Sequence, residues 1–294
     1  VEYCLTGSKL EASLRLYVLA RTYFPERYAS MLHLRMPPYI KLALNNPFPR
    51  TYITTQLVTQ PGRAQARYFG PFRSRLSAER FEAQLLDLFQ IRRCQEDLTP
   101  ALDHPGCMYG EMGMCLRPCQ NIVGLEEYGS EVKRVKEFLV TSGRSLLDPV
   151  AAARERLSAE MQFEEAARQH KRVEKIQDVL KLRDEMARDI DSLHGIAVTA
   201  SASPNSVELS YLRAGHWQGT RTIRFDQVSL DAKLREAAGD VGATVLPIRE
   251  RQDYLAIVAR WFYSSWRDGE FLMFDSFDNI PFRKLVRAIS RVAS

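Results

Sequence analysis

Residues 94–121 read CQEDLTPALDHPGCMYGEMGMCLRPCQN, and this stretch decides how the rest of the chain divides. It holds Pro100, Pro105, Gly106, Gly110, Gly113 and Pro118, and a segment so punctuated builds no long helix or strand of its own. Something else must hold it together. Four cysteines lie in it, Cys94, Cys107, Cys115 and Cys119, separated by twelve, seven and three residues. Four thiolates are the donor set of a structural zinc or of an iron–sulfur cluster. Zinc ribbons show two close pairs, whereas only Cys115 and Cys119 are close here, so the spacing leans toward a cluster with zinc as the alternative. The plainer alternative is four reduced thiols in a compact loop. Cys4 stands alone, and an odd count without an export-type pattern argues against a disulfide framework.

Upstream of the cysteines the charge is one-sided. Arg50, Arg63, Arg67, Arg73, Arg75, Arg80, Arg92 and Arg93 face only Glu79, Glu82 and Asp87, and no lysine falls among them. Arginine without lysine favours forked contacts to phosphate, and the alternative is an ordinary solvated face. The whole chain of 294 residues is only mildly basic, at +5, so the distribution carries the argument and the total does not. Apolar residues at 45% and charged residues at 26% fit a folded protein of two or three modules. No apolar run approaches the roughly 18 residues needed to cross a bilayer. A cytoplasmic protein without membrane contact is expected. The start at Val1, without Met, suggests a fragment.

Working outward, Ser8 and Glu11 fit a capping box for a helix carrying Leu10, Leu14, Tyr17 and Val18, closed by Pro25. Residues 39–42 and 51–54 read as two strands joined through Asn45-Asn46-Pro47. Residues 67–72 read as a turn with aromatic flanks, residues 77–89 and 125–141 as helices. Asp148-Pro149 predicts a sharp helix start, and two helices broken near Met161-Gln162 run to about Asp191. Segments 196–198, 207–212 and 220–225 predict a β-meander. Helices near 230–238, 251–264 and 282–292 finish the chain.

Pro38-Tyr39-Ile40-Lys41-Leu42, Phe48-Pro49-Arg50, Tyr68-Phe69-Gly70-Pro71-Phe72, the cysteine spacing and Phe163-Glu164-Glu165-Ala166-Ala167 occur in that order. Together they resemble the central part of the UvrC subunit of the bacterial UvrABC excinuclease. The resemblance implies an α+β, multi-module chain. Residues 1–55 would be the end of a GIY-YIG-type α/β domain and 56–145 a cysteine- and arginine-rich, metal-stapled region. Residues 146–191 would be a UVR-like helical hairpin, and 192–294 a β-meander with helices, the first part or a remnant of an RNase H-like domain.

It further implies that Cys94, Cys107, Cys115 and Cys119 ligate a 4Fe–4S cluster. Arg63, Arg67, Arg73, Arg75, Arg92 and Arg93 become candidate DNA contacts. Phe163, Glu164, Ala166 and Ala167 become the surface that docks a UvrB-like partner, although His170-Lys171 stands where the family carries Arg-Asp. The catalytic parts depart from the family. Arg15, Leu16 and Tyr17 stand where a metal-binding glutamate belongs, Glu11 is spoken for by capping, and Asp275 and Asp278 read as solvated loop carboxylates. The expected function is DNA binding in nucleotide excision repair without cleavage by this chain. The alternatives are an endonuclease with its catalytic domain upstream, and a metal-stapled interaction module unrelated to DNA.

Overall fold

The structure, a computed structural model, describes residues 2–58, 66–96, 98–225, 234, 236, 239 and 241–293. Two compact units emerge, one continuous (Pro38–Asp189) and one discontinuous (Val1–Pro37 with Ile190–Ser294). Residues 1–37 and 38–55, read from the sequence as one segment, therefore belong to different units. The chain opens in the discontinuous unit with α1 (Lys9–Tyr23) and the single turn α2 (Tyr28–Met31).

In the continuous unit, β1 (Tyr39–Leu42) and β2 (Thr51–Thr54) pair antiparallel, Tyr39 opposite Thr54 and Leu42 opposite Thr51. Asn46 Oδ1 accepts the Phe48 N–H at 2.9 Å, which tightens the connection between them. Residues 67–70, expected as part of a turn, form a strand instead: β3 (Arg67–Gly70) pairs with the other edge of β1, Ile40 facing Phe69. A capping box opens α3 (Arg75–Leu86), Ser74 Oγ accepting from the Ser77 N–H and Ser77 Oγ from the Ser74 N–H. The helix buries Ala78, Phe81 and Leu85.

The one-turn α4 (Met108–Glu111) lies in the cysteine loop, followed by α5 (Leu125–Val140), α6 (Arg144–Ala159) and α7 (Phe163–Lys181). Asp148-Pro149 does not start a helix, because α6 opens five residues earlier, at Arg144, and Pro149 lies inside it. Gly143 decides this. Its φ of 93° suits glycine, a Cβ there would come within 2.6 Å of Leu180, and its N–H reaches the Phe138 carbonyl at 2.7 Å. Leu146 and Leu147 then pack on the core in the first turn, outweighing the N–H that Pro149 lacks. Between α6 and α7 Met161 takes a φ of 58°, with its N–H on the Ser158 carbonyl and the Gln162 N–H on that of Leu157. That is a Schellman ending, and it folds the two helices into a hairpin. Last comes β4 (Arg188–Asp189), where helix was expected, giving the antiparallel order β2-β1-β3-β4. Asp189 is buried and ion-paired with Arg67 at 3.3 Å, a long-range tie that periodicity does not register.

In the discontinuous unit β5 (His194–Ala200), β6 (Ser206–Arg213) and β7 (His216–Arg224) form the expected meander. α8 (Ile248–Phe262), β8 (Gly269–Phe274) and α9 (Phe282–Ala293) follow. The unforeseen β8 pairs antiparallel with β5, in the order β7-β6-β5-β8. The helix expected at 230–238 falls mostly outside the described residues. Ser8 Oγ caps α1 on the Glu11 N–H at 3.1 Å, while Glu11 reaches back to the Gly7 N–H at 2.9 Å. The Tyr17 ring meets that of Tyr254 edge-on at 4.9 Å. Tyr17 and Tyr28 both donate to Asp253 Oδ2, at 3.1 and 2.7 Å, so a buried carboxylate has its hydrogen bonds.

His216, at the start of β7, accepts the Leu246 N–H on Nδ1 at 3.0 Å. Burial, with Arg251 nearby, pushes its imidazole down to about 4. Between that value and its ordinary 6.5 the unfolded chain binds more protons than the folded one, so stability rises with pH across the window and falls on acidification. Urea midpoints should therefore drop further between pH 6.5 and 4 in the wild type than in His216→Gln. Equal drops would show that the imidazole has no part in it.

Candidate nucleic-acid interface and cysteine loop

The cysteine loop is tied down mainly by backbone. Leu116 N–H donates to the Gln90 carbonyl at 3.0 Å and Ala101 N–H to that of Cys119 at 2.9 Å. Tyr128 of α5 donates to the Pro49 carbonyl and accepts the Arg92 N–H, both at 2.8 Å. Cys115 and Cys119 are buried, Cys94 half-buried and Cys107 exposed, and none is in a disulfide. Two sulfurs have N–H donors: Arg117 N–H to Cys115 Sγ at 3.4 Å and Arg92 Nη1 to Cys94 Sγ at 3.6 Å. Burial pushes the Cys115 thiol up to about 11, with Cys94, Cys107 and Cys119 adding to the rise, and Cys119 is raised by burial and by Cys107 and Cys94. The two buried thiols thus feel the charge of the other cysteines. Yet among the described residues no three His, Cys, Asp or Glu side chains form a group able to hold a metal ion. In donor type and number the loop suits a four-thiolate centre; the thiols are not drawn together around one.

The arginines separate by what they touch. Arg63 lies outside the described residues. Arg92 is buried, its guanidinium donating to the carbonyls of Phe48 at 2.9 Å and Glu96 at 2.8 Å. Arg93 pairs with Asp87 at 2.9 Å, donates to the Leu86 carbonyl and lies over the Tyr109 ring. Arg67 holds Asp189. Arg73 and Arg75 are exposed at the start of α3, Arg75 with Glu79 at 2.7 Å. Arg80, farther along the helix, is exposed as well. Arg75 and Arg93 line a common cleft with Arg50. Arg50 stood in the arginine stretch and in the Phe48-Pro49-Arg50 motif, but was not among the candidate DNA contacts. Tyr68, Phe69 and Phe72, beside Arg67 and Arg73, are buried in the core.

On the hairpin the apolar stripe splits. Ala166, Val173, Ile176 and Val179 turn inward, whereas Phe163 is 67% exposed beside Met161, itself exposed. Glu164 and Ala167 are also exposed. In the discontinuous unit an open cavity of about 440 Å³ is lined by Glu11, Arg15, Glu208, Trp217, Thr222 and Tyr254. Glu11 Oε1 holds Arg15 at 2.9 Å, and Glu208 accepts from the hydroxyls of Ser201 and Thr222 at 2.7 and 2.8 Å. Glu208, buried in mid-strand, had no motif to mark it. Asp275 and Asp278 are exposed, as expected, Asp278 accepting from the Ser276 hydroxyl.

Residues 37–138 match the family model described as UvrC/Cho excinuclease, middle domain. Over 238 residues the chain is 28% identical to the UvrABC system protein C of Rickettsia rickettsii (strain Sheila Smith), covering 80% of this chain and 36% of that protein. The chain is UvrC-related. The protein of the same name from Lachnospira eligens is 26% identical over 79% of this chain and 37% of its own length, and that of Ruminiclostridium cellulolyticum 25% over 76% and 36%. The chain spans about a third of the length of these curated relatives. No solved structure matches. The stretch matched to the UvrC middle domain runs from β1 through most of α5 and includes all four clustered cysteines and the arginines from Arg50 to Arg93; the hairpin lies beyond it. No helix among the described residues is long and apolar enough to cross a membrane.

Proposed function

We propose that this UvrC-related chain is a DNA-binding component of nucleotide excision repair that also engages a UvrB-like partner and does not itself cut DNA. The observation that carries the reading is the match of residues 37–138 to the UvrC middle domain, because that stretch contains both the arginines and the four cysteines. Arg73, just before α3, and Arg75 and Arg80 on it reach solvent and supply forked donors for phosphate. Cys94, Cys107, Cys115 and Cys119 would hold a 4Fe–4S cluster, with zinc as the alternative. When bound, the cluster would cross-link a loop that has little regular structure. The N–H groups on Cys94 and Cys115 orient two of the sulfurs for that task.

Support for binding without cleavage comes from α1. Both oxygens of Glu11 are engaged, one by the Gly7 N–H and one by Arg15, and a guanidinium at that distance repels Mg²⁺. For the partner, the exposed Phe163 ring is an apolar anchor of the kind that interfaces bury at their centre.

Two measurements test the reading. Duplex affinity should fall with salt by a log–log slope of about −0.9 per phosphate neutralised, and Arg73→Ala should flatten it by about one unit. Salt-independent or absent binding favours a bare interaction module. Phe163→Ala should leave the urea midpoint unchanged, because the ring is solvent-exposed, and weaken capture of a UvrB-like protein by about 1–2 kcal/mol. Full-strength capture by that variant would sink the docking surface.

A further inference from the structure

The face of α3 carrying Arg75, Glu79, Glu82 and Leu86 borders β2, the outermost strand of its sheet, and a polar cleft of about 300 Å³ opens there. Arg50, Thr51 and Arg93 join its wall. Its cations are held in place. Arg50 donates to the Gln95 carbonyl at 3.0 Å and lies 5.1 Å from the Tyr52 ring centre, Arg75 Nε is fixed by Glu79, and Arg93 by Asp87 and the Leu86 carbonyl. Three guanidiniums stand against Glu79, Glu82 and Asp87, so what the cleft offers an anion is a set of fixed N–H donors rather than an excess of charge.

What marks it as a site is unfinished hydrogen bonding. Thr51 is only 7% exposed and its hydroxyl lies beside Glu82, steadying that carboxylate without a hydrogen bond of ordinary geometry, and Arg93 Nε and Glu82 Oε1 have none either. Buried polar groups are ordinarily paired, and three orphans on one cleft point to a ligand that completes them. Burial raises the Glu82 carboxyl above the ordinary carboxylate range, against the pull of Thr51 and Arg50 beside it and of Arg75, while Glu79 adds to the rise. A proton on Glu82 would turn its orphan oxygen into a further donor toward an anion.

We propose that this cleft binds a phosphate group of a nucleic-acid strand, with Arg50 and Arg75 holding the charge and the Thr51 hydroxyl donating to a non-bridging oxygen. The proposal rests on the DNA-binding reading above and joins Arg75, already a candidate contact, to Arg50 and Thr51, which were not. Arg73, just before α3, and Arg80 on it are exposed and would meet neighbouring phosphates.

The test uses the full chain and fluorescence anisotropy with a labelled 20-nucleotide strand and its duplex between 50 and 200 mM salt. Arg50→Ala and Arg75→Ala should each lose about 3.5-fold less affinity across that range than the wild type, as expected for one phosphate contact fewer. Thr51→Val should weaken binding about threefold while its urea midpoint holds or rises, because the hydroxyl it removes makes no hydrogen bond of ordinary geometry. Glu82→Gln should tighten binding. If the Arg50, Arg75 and Thr51 variants bind as the wild type does while Arg73→Ala weakens, the cleft is overturned and the DNA-binding reading stands. If no strand binds but millimolar pyrophosphate raises the wild-type midpoint and not that of Arg50→Ala, the cleft takes free phosphate, and both the proposal and the DNA reading fall. Binding of neither overturns both.

Discussion

Protein purified without oxygen should be brown and carry about four irons per chain, and Cys115→Ser should abolish both. Cys115 is the sensitive position because it is 8% exposed and its sulfur already accepts the Arg117 N–H. Serine there offers a harder oxygen donor, which suits iron–sulfur chemistry poorly. Cys4 is exposed and lies far from the loop in sequence, so Cys4→Ser should keep its iron and colour. Stoichiometric zinc with no visible absorption would refute the cluster and leave a zinc-stapled loop. Neither metal would mean that the four thiols are simply reduced.

Phe81→Ala should cost about 3–5 kcal/mol of unfolding free energy, enough to unfold many domains of ordinary stability. Phe81 is fully buried, stacked on Phe69 at 5.5 Å with the rings nearly parallel and tilted against Phe72 at 5.7 Å. Removing it opens a hole between α3 and the sheet in the same aromatic run that the sequence displays as Tyr68-Phe69-Gly70-Pro71-Phe72. The equally large ring of Phe163 is the control, since alanine there should change the urea midpoint little. A loss below about 1 kcal/mol at Phe81 would mean that the site collapses around the gap.

The elements legible in the sequence are those whose causes are local. The Ser8 cap, the break at Met161 and the three-strand meander each depend on residues within a few positions of one another. β3, β4 and β8 escaped because their partners are distant: Phe69 faces Ile40, Asp189 faces Phe69 across more than a hundred residues, and Phe274 faces His194. Pro149 misled for a related reason. Its local preference for a first turn is real, but Leu146 and Leu147 gain burial by starting the helix upstream. The arginines show the limit of composition at a site. Charge counts do not say which way a guanidinium points, so Arg92, turned onto the carbonyls of Phe48 and Glu96, looked the same as Arg73. Thr51 gave no signal, because a buried hydroxyl beside Glu82 exists only once strand and helix have met.

The continuous unit interrupts the other one, and this bears on the order in which the nascent chain can acquire structure. Residues 1–37 leave the ribosome before the insert but have their packing partners from residue 190 onward, so they must wait while Pro38–Asp189 emerges. Domains generally fold as units during synthesis, and the inserted one can do so from its own residues. Its two ends then lie close, because β1 and β4 flank the same strand, β3, about two strand spacings or ~10 Å apart. The entropy of closing so long a loop, which grows with the logarithm of its length, is thereby met by the folding of the insert. The tyrosine–aspartate cluster of Tyr17, Tyr28 and Asp253 can form only after the inserted unit has been made, and that unit becomes the template that brings the two halves together.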